Sequence, residues 1–200
     1  MSDETPTMID VVFDLQGKFV PEGYAMPLWQ EMARCLPWLE QAPHAGIVPL
    51  RGSESGGGTL LSQRTKLVLR LPQALAKKAI ELSGKQLNVD GSVLLVGASR
   101  ERELKPSNTL HAYIVESELG EVEFLAEMNE KLQEMNIPCK LICSKQLVIK
   151  NPRHTLKGYG LVLHELKPEA SLQIQRVGLG GARHYGCGMF VHYKAITGLD

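Results

Sequence analysis

Between residues 178 and 190 the chain reads GLGGARHYGCGMF, five glycines set around Arg183, His184 and Tyr185. Glycine loses more freedom than any other residue when it is ordered, so such a cluster marks a tight turn or a backbone that something approaches closely. The free backbone N–H groups of Gly180 and Gly181, with cations at Arg183 and His184, form a loop that can grip a phosphate backbone. A dinucleotide fingerprint needs the order strand, glycines, helix; here a helical pattern precedes the glycines and a strand follows, so that class is excluded. Imidazole titrates near neutrality and suits proton transfer, and residues 1–110 hold one histidine, His44. His111 and His164 lie inside apolar strand patterns and read as packing residues, while His192 falls near an exposed end. Arg64, Lys66 and Arg70 share one face of TLLSQRTKLVLRLP by period-two alternation. That triplet suits phosphate tracking, and equally the polar face of a half-exposed sheet. Arg153, His154 and Lys157 around NPRHTLKGYG form a second basic edge, or decorate a hairpin.

The elements that must hold these residues follow from periodicity. MIDVVFDLQ predicts a strand, and Leu28, Met32 and Leu36 at four-residue spacing predict a helix. AGIVPLRG reads as a second strand, SESGGG as a flexible turn and TLLSQRTKLVLRLP as a longer strand. PQALAKKAIELSG is a short helix opened by proline and stopped by Gly84, and KQLNVDGSVLLVG carries a hairpin-type Asp90-Gly91 turn. ASRERELKPSN, charged and broken by proline, reads as a linker over 100–107. The pattern then repeats: TLHAYIVES as strand, EVEFLAEMNEKLQEMN as helix, CKLICSKQLVIK and LKGYGLVLHEL as two strands, PEASLQIQRVG as helix and GMFVHYKAI as the last strand. The expectation is an α+β chain of tandem ferredoxin-like (β-α-β-β-α-β) domains at 1–99 and 108–200, with the glycine-rich loop near the C-terminus.

Composition narrows the partners. Twenty-two Lys and Arg balance twenty-two Asp and Glu, so any nucleic-acid surface must come from a local arrangement of charge. No run of about 18 apolar residues suggests a membrane span, and the acidic start MSDETPTM lacks the features of a signal peptide, which predicts a cytoplasmic protein. The four cysteines include no C-x-x-C pair. Cys139 and Cys143 on a strand would stand about 13 Å apart, so neither a shared metal nor any other cofactor is expected.

RVGLGGARHYGCGMF resembles the C-terminal glycine-rich motif of the CRISPR repeat-RNA (pre-crRNA) processing endoribonucleases, members of the RAMP superfamily built from two ferredoxin-like, RRM-like domains. IDVVFDLQG, GYAMPLW, LPWLEQAPHAGIVPLRG and LKGYGLVLHELKPEASLQIQRVGLGG extend the likeness over most of the chain, toward the subgroup of myxobacterial-type CRISPR loci. The resemblance implies binding of CRISPR repeat RNA and metal-independent cleavage by attack of a 2′-hydroxyl on the adjacent phosphate, leaving a 2′,3′-cyclic phosphate. Such a reaction needs a base, an acid and donors for the charge that builds on phosphate. The roles implied are His44 as general base or acid, Arg51 as the charge-stabilising cation and Tyr24 as a hydroxyl donor, with Arg64, Lys66, Arg70, Arg153, Lys157, Gly180, Gly181, Arg183 and His184 holding RNA. Where family members carry histidine, before the Gly-Tyr that opens the first helix or within the Gly-Ile-x-Pro stretch, this chain has Glu22 and Val48. The same residues therefore admit a non-cleaving repeat-RNA subunit, held among other CRISPR effector-complex subunits. A weaker third reading is a small phosphorylated ligand on the glycine loop, which salt dependence separates from RNA.

Overall fold

The computed structural model describes residues 5–193. The first half contains β1 (Met8–Gln16), β2 (Phe19–Pro21), α1 (Ala25–Cys35), β3 (Gly46–Val48), β4 (Ser53–Ser55), β5 (Gly58–Leu60), β6 (Lys66–Pro72), α2 (Ala76–Ala79), β7 (Gln86–Val89) and β8 (Ser92–Glu103). The second contains β9 (Leu110–Glu116), α3 (Glu121–Glu134), β10 (Lys140–Asn151), β11 (His154–His164), α4 (Pro168–Val177) and β12 (Val191–His192).

Strand order is β3-β6-β1-β8-β7 in the first main sheet and β10-β11-β9-β12 in the second. Setting aside β2, β4, β5 and β7, each half is β-α-β-β-α-β with its second, third, first and fourth strands side by side and every neighbour antiparallel. Tandem ferredoxin-like topology is thus present. Ile9, Val11, Phe13 and Leu15 alternate along β1 into one core beneath Leu28, Trp29 and Met32 of α1. Phe124, Met128 and Leu132, one helical face of α3, bury against Leu110, Ala112, Leu161 and Leu163 in the other. Of the expected GMFVHYKAI strand only Val191–His192 is strand: Gly188 closes the turn of the glycine loop, Met189 and Phe190 follow it without strand pairing, and residues 194–196 lie outside the described residues.

Three local expectations change. The run TLLSQRTKLVLRLP is two strands, because Ser62 and Thr65 close a turn between them: Thr65 Oγ1 accepts from Ser62 N–H at 3.0 Å and Ser62 Oγ from Arg64 N–H at 3.2 Å. Arg64 therefore sits on that turn and not on the strand face of Lys66. SESGGG is the hairpin joining β4 to β5, with Gly56 and Gly57 at positive φ, and it docks on β2 as a small third sheet. Residues Arg100–Glu103, read as linker, finish β8 opposite Val12–Ile9 of β1. A strand with polar surroundings accepts the alternation R-E-R-E as readily as a loop does.

The connector that remains is strapped to the second half: Ser107 N–H donates to Ser171 Oγ at 2.9 Å, and Gln175 Nε2 to Lys105 carbonyl at 2.8 Å. Among the described residues no helix is long and apolar enough to cross a membrane.

Candidate functional site

Arg51 follows β3 in a loop that is fixed from two directions. The Tyr24 hydroxyl at the start of α1 accepts the Leu50 N–H at 2.7 Å, and Thr65 Oγ1 donates to the Arg51 carbonyl at 2.8 Å. Burial raises the Tyr24 phenol above its ordinary range, with Leu50 N–H opposing and Tyr113 adding, so the hydroxyl stays protonated at any working pH. Tyr24 is a strut for the Arg51 loop. Removing its oxygen leaves Leu50 N–H without an acceptor, a loss of about 1–3 kcal/mol. Tyr24→Phe is expected to fold and bind RNA while cutting it more slowly, and unchanged single-turnover cleavage would show that the loop needs no such support.

Arg51 opens onto a cleft of about 420 Å³ lined by both halves, with Val48, Arg64, Lys66 and Arg102 on one side, Lys105 of the connector at its edge, and Val191 and His192 opposite. Among the described residues none of Arg51, Arg64 and Lys105 is held in a salt bridge. Lys66 pairs with Asp14 at 2.8 Å, but both side chains are partly exposed, so a phosphate can compete for the ammonium. The net result is a positive groove in a chain of zero net charge. No group of three His, Cys, Asp or Glu among the described residues is placed to hold a metal ion.

Other residues expected to hold RNA are engaged elsewhere. Arg70 is buried, its side chain 2% exposed, and its Nε and Nη2 donate to the Asp10 carboxylate at 2.7 and 3.2 Å. Its Nη1 reaches the Phe190 carbonyl at 2.7 Å, so this arginine ties the halves together. Arg153 pairs with Asp90 at 3.1 Å and Lys157 with Glu118 at 3.2 Å, the first across the two halves.

The glycine loop is a wedge between the halves. Arg183 Nε donates to the His44 carbonyl at 2.6 Å, and Nη2 to the Arg176 and Gln175 carbonyls at the end of α4 at 2.8 and 3.2 Å. Burial, with Arg70 nearby, lowers its pKa to about 9. His184 stacks on Trp29 with ring centroids 4.5 Å apart, and burial pushes its imidazole toward the neutral form. Gly186 needs its positive φ, and a Cβ there would press on Pro49 and the Ile47 carbonyl. Gly180 and Gly181 face solvent, yet a Cβ on Gly181 would lie 3.1 Å from the Glu116 carboxylate, an acid that opposes a phosphate. Gly178, Gly186 and Gly188 therefore serve close packing of protein on protein, while Gly180 and Gly181 stay open to solvent.

His44 does not join Arg51. Gly46 lies opposite Arg70 on β6, whereas Arg51 is bonded to Thr65, five residues away along the same chain segment, or about 17 Å at strand rise. The His44 imidazole is exposed at the far end of β3, on a backbone at φ 57°. The histidine that the Arg51 charge reaches is His111 of β9: burial lowers its pKa, and Arg51 lowers it further. Tyr113, on the same strand, is near enough to Tyr24, Glu22 and Glu54 for their charges to register on its phenol or Tyr24's. Arg102 and Lys105 were hidden in the presumed linker, where only the R-E-R-E alternation hinted at a strand. For His111 no local signal existed.

A family model described as Cas6 Crispr matches residues 9–195. The chain is 30% identical over 185 residues to the CRISPR-associated endonuclease Cas6 of Myxococcus xanthus (strain DK1622), covering 92% of this chain and 80% of that one. Two solved structures share its fold. One, titled CRISPR associated protein Cas6, has a TM-score of 0.63 at 12% identity, over 94% of this chain and all of the other (100%). The second, described as a RAMP protein binding different RNA substrates, has a TM-score of 0.61 at 13% identity, over 91% of this chain and 98% of the other.

Proposed function

The chain belongs to the Cas6 family of CRISPR proteins, and on that premise we propose that it is a cytoplasmic, metal-independent endoribonuclease that binds CRISPR repeat RNA and cuts the precursor transcript into guide RNAs. The observation that carries this is Arg51, held by Tyr24 and Thr65 at the mouth of the positive cleft. A loop whose backbone is fixed before substrate arrives presents the Arg51 guanidinium to the attacked phosphate with little reorganisation at the moment of reaction. Attack by the 2′-hydroxyl needs proton transfer and charge stabilisation only, both within reach of imidazole and guanidinium groups.

The test is labelled cognate repeat RNA incubated with the protein in EDTA. Cleavage to a 2′,3′-cyclic phosphate end is expected, with binding that weakens steeply between 50 and 200 mM salt as several phosphate contacts are screened. Binding that ignores salt would favour a small phosphorylated ligand over RNA.

A second reading rests on Val48, which lines the cleft beside Arg51 at a position where family members carry histidine. In that reading the chain holds repeat RNA within an effector complex and does not cut. Tight, salt-sensitive binding with no product in EDTA or Mg²⁺ would establish it.

A further inference from the structure

We propose that His111 is the proton-transfer histidine of this chain, supplied across the cleft by the second half in place of the imidazole that Val48 does not provide. The proposal rests on the nuclease reading above. His111 lies on β9 directly opposite Val191 of β12, and directly opposed residues of antiparallel strands share a face. Val191 lines the cleft that also contains Arg51 and Val48. The half-buried ring rests edge-on against Tyr193, with centroids 5.6 Å apart and planes at 74°. Its Nδ1 is enclosed, and among the described residues nothing hydrogen-bonds to it. Buried polar atoms are almost always paired, so this unpartnered nitrogen marks a ring that no group of the described residues has locked in place. No carbonyl or carboxylate of the described residues pins the tautomer through the enclosed Nδ1, and Nε2 is the ring nitrogen left to exchange a proton with substrate. Burial and Arg51 keep the ring neutral near pH 7, the form able to accept a proton.

In the reaction, His111 takes the 2′-hydroxyl proton as the 2′-oxygen bonds to phosphorus and the bond from phosphorus to the 5′-oxygen breaks. The departing 5′-oxygen takes a proton from water, and the imidazolium neutralises the hydroxide so formed. Arg51 faces the phosphate throughout.

The experiment is single-turnover cleavage and equilibrium binding of cognate repeat RNA by wild type, His111→Ala, His111→Gln and His44→Ala, with thermal melts to confirm folding. Expected is a loss of cleavage of about 100-fold or more in both His111 variants, binding within about threefold of wild type, and partial rescue of His111→Ala by added imidazole. Cleavage retained in both His111 variants, or lost only in His44→Ala, overturns the assignment. Binding lost in step with cleavage in both also overturns it, because His111 then holds RNA or the fold. Wild type that binds and never cuts overturns the nuclease reading itself, a result distinct from failure at His111 alone.

Discussion

Arg70→Met is expected to cost roughly 3–5 kcal/mol of stability, because it strands a buried carboxylate. The Asp10 side chain is 3% exposed and is held by Arg70 on one side and Arg102 on the other. Burial pushes its pKa up, but the two guanidiniums outweigh that and hold it below the ordinary 3.8. Only Arg102 remains in the variant, and its side chain is half exposed at 50%. The Phe190 carbonyl loses its donor as well, so the contact between sheet and second half loosens. At about 2–4 °C per kcal/mol for a chain of this size, the melting temperature falls by on the order of 10 °C. Asp10→Asn combined with Arg70→Met should recover a large part of the loss, since it removes the uncompensated charge. A single variant that melts within about 2 °C of wild type would show that the pair carries none of this stability. The pH dependence has a fixed sign. A depressed carboxylate pKa contributes stability that is present above the unfolded value and disappears as pH falls through the folded one. Wild type should therefore lose an increment below about pH 4 that the double variant lacks.

Arg51→Ala is expected to slow single-turnover cleavage of repeat RNA by about 10²–10³-fold, the usual effect of removing one prepositioned charge-stabilising donor. Binding should change far less, because losing one phosphate contact flattens the salt slope by only about 0.7 on a single strand. Arg51→Lys should recover part of the rate, since it keeps the charge and loses the planar fork. The contrast with Arg70 is informative: Arg70→Met should impair folding and cleavage together, whereas Arg51→Ala should melt like wild type. Full cleavage by Arg51→Ala would remove the site from the cleft altogether.

Much of the architecture was legible along the chain. The run MIDVVFDLQ, the four-residue spacing of Leu28, Met32 and Leu36, the proline and Gly84 that bracket PQALAKKAIELSG and the Asp90-Gly91 turn each depend on residues a few positions apart. Period two and period 3.6 record which face of an element is apolar, and two rounds of strand, helix, strand, strand, helix, strand follow from them. The motif around Arg183 likewise carried the family, because its glycines answer to local backbone conformation and close packing.

What the sequence by itself determined is therefore the order of the core strands and helices, the fold class and the family. Tertiary structure alone decided which polar residues meet. Lys66 and Arg70 stand in the same alternation, yet one is partly exposed and the other buried, because Asp10 and the Phe190 carbonyl come from segments 60 and 120 residues away. His44 and Arg51 are near in sequence and lie at opposite ends of β3, while Arg51 and His111 belong to different halves and the charge of one still reaches the other. Burial and charge act through space, and a residue's chemistry is set by neighbours that its place in the chain does not name.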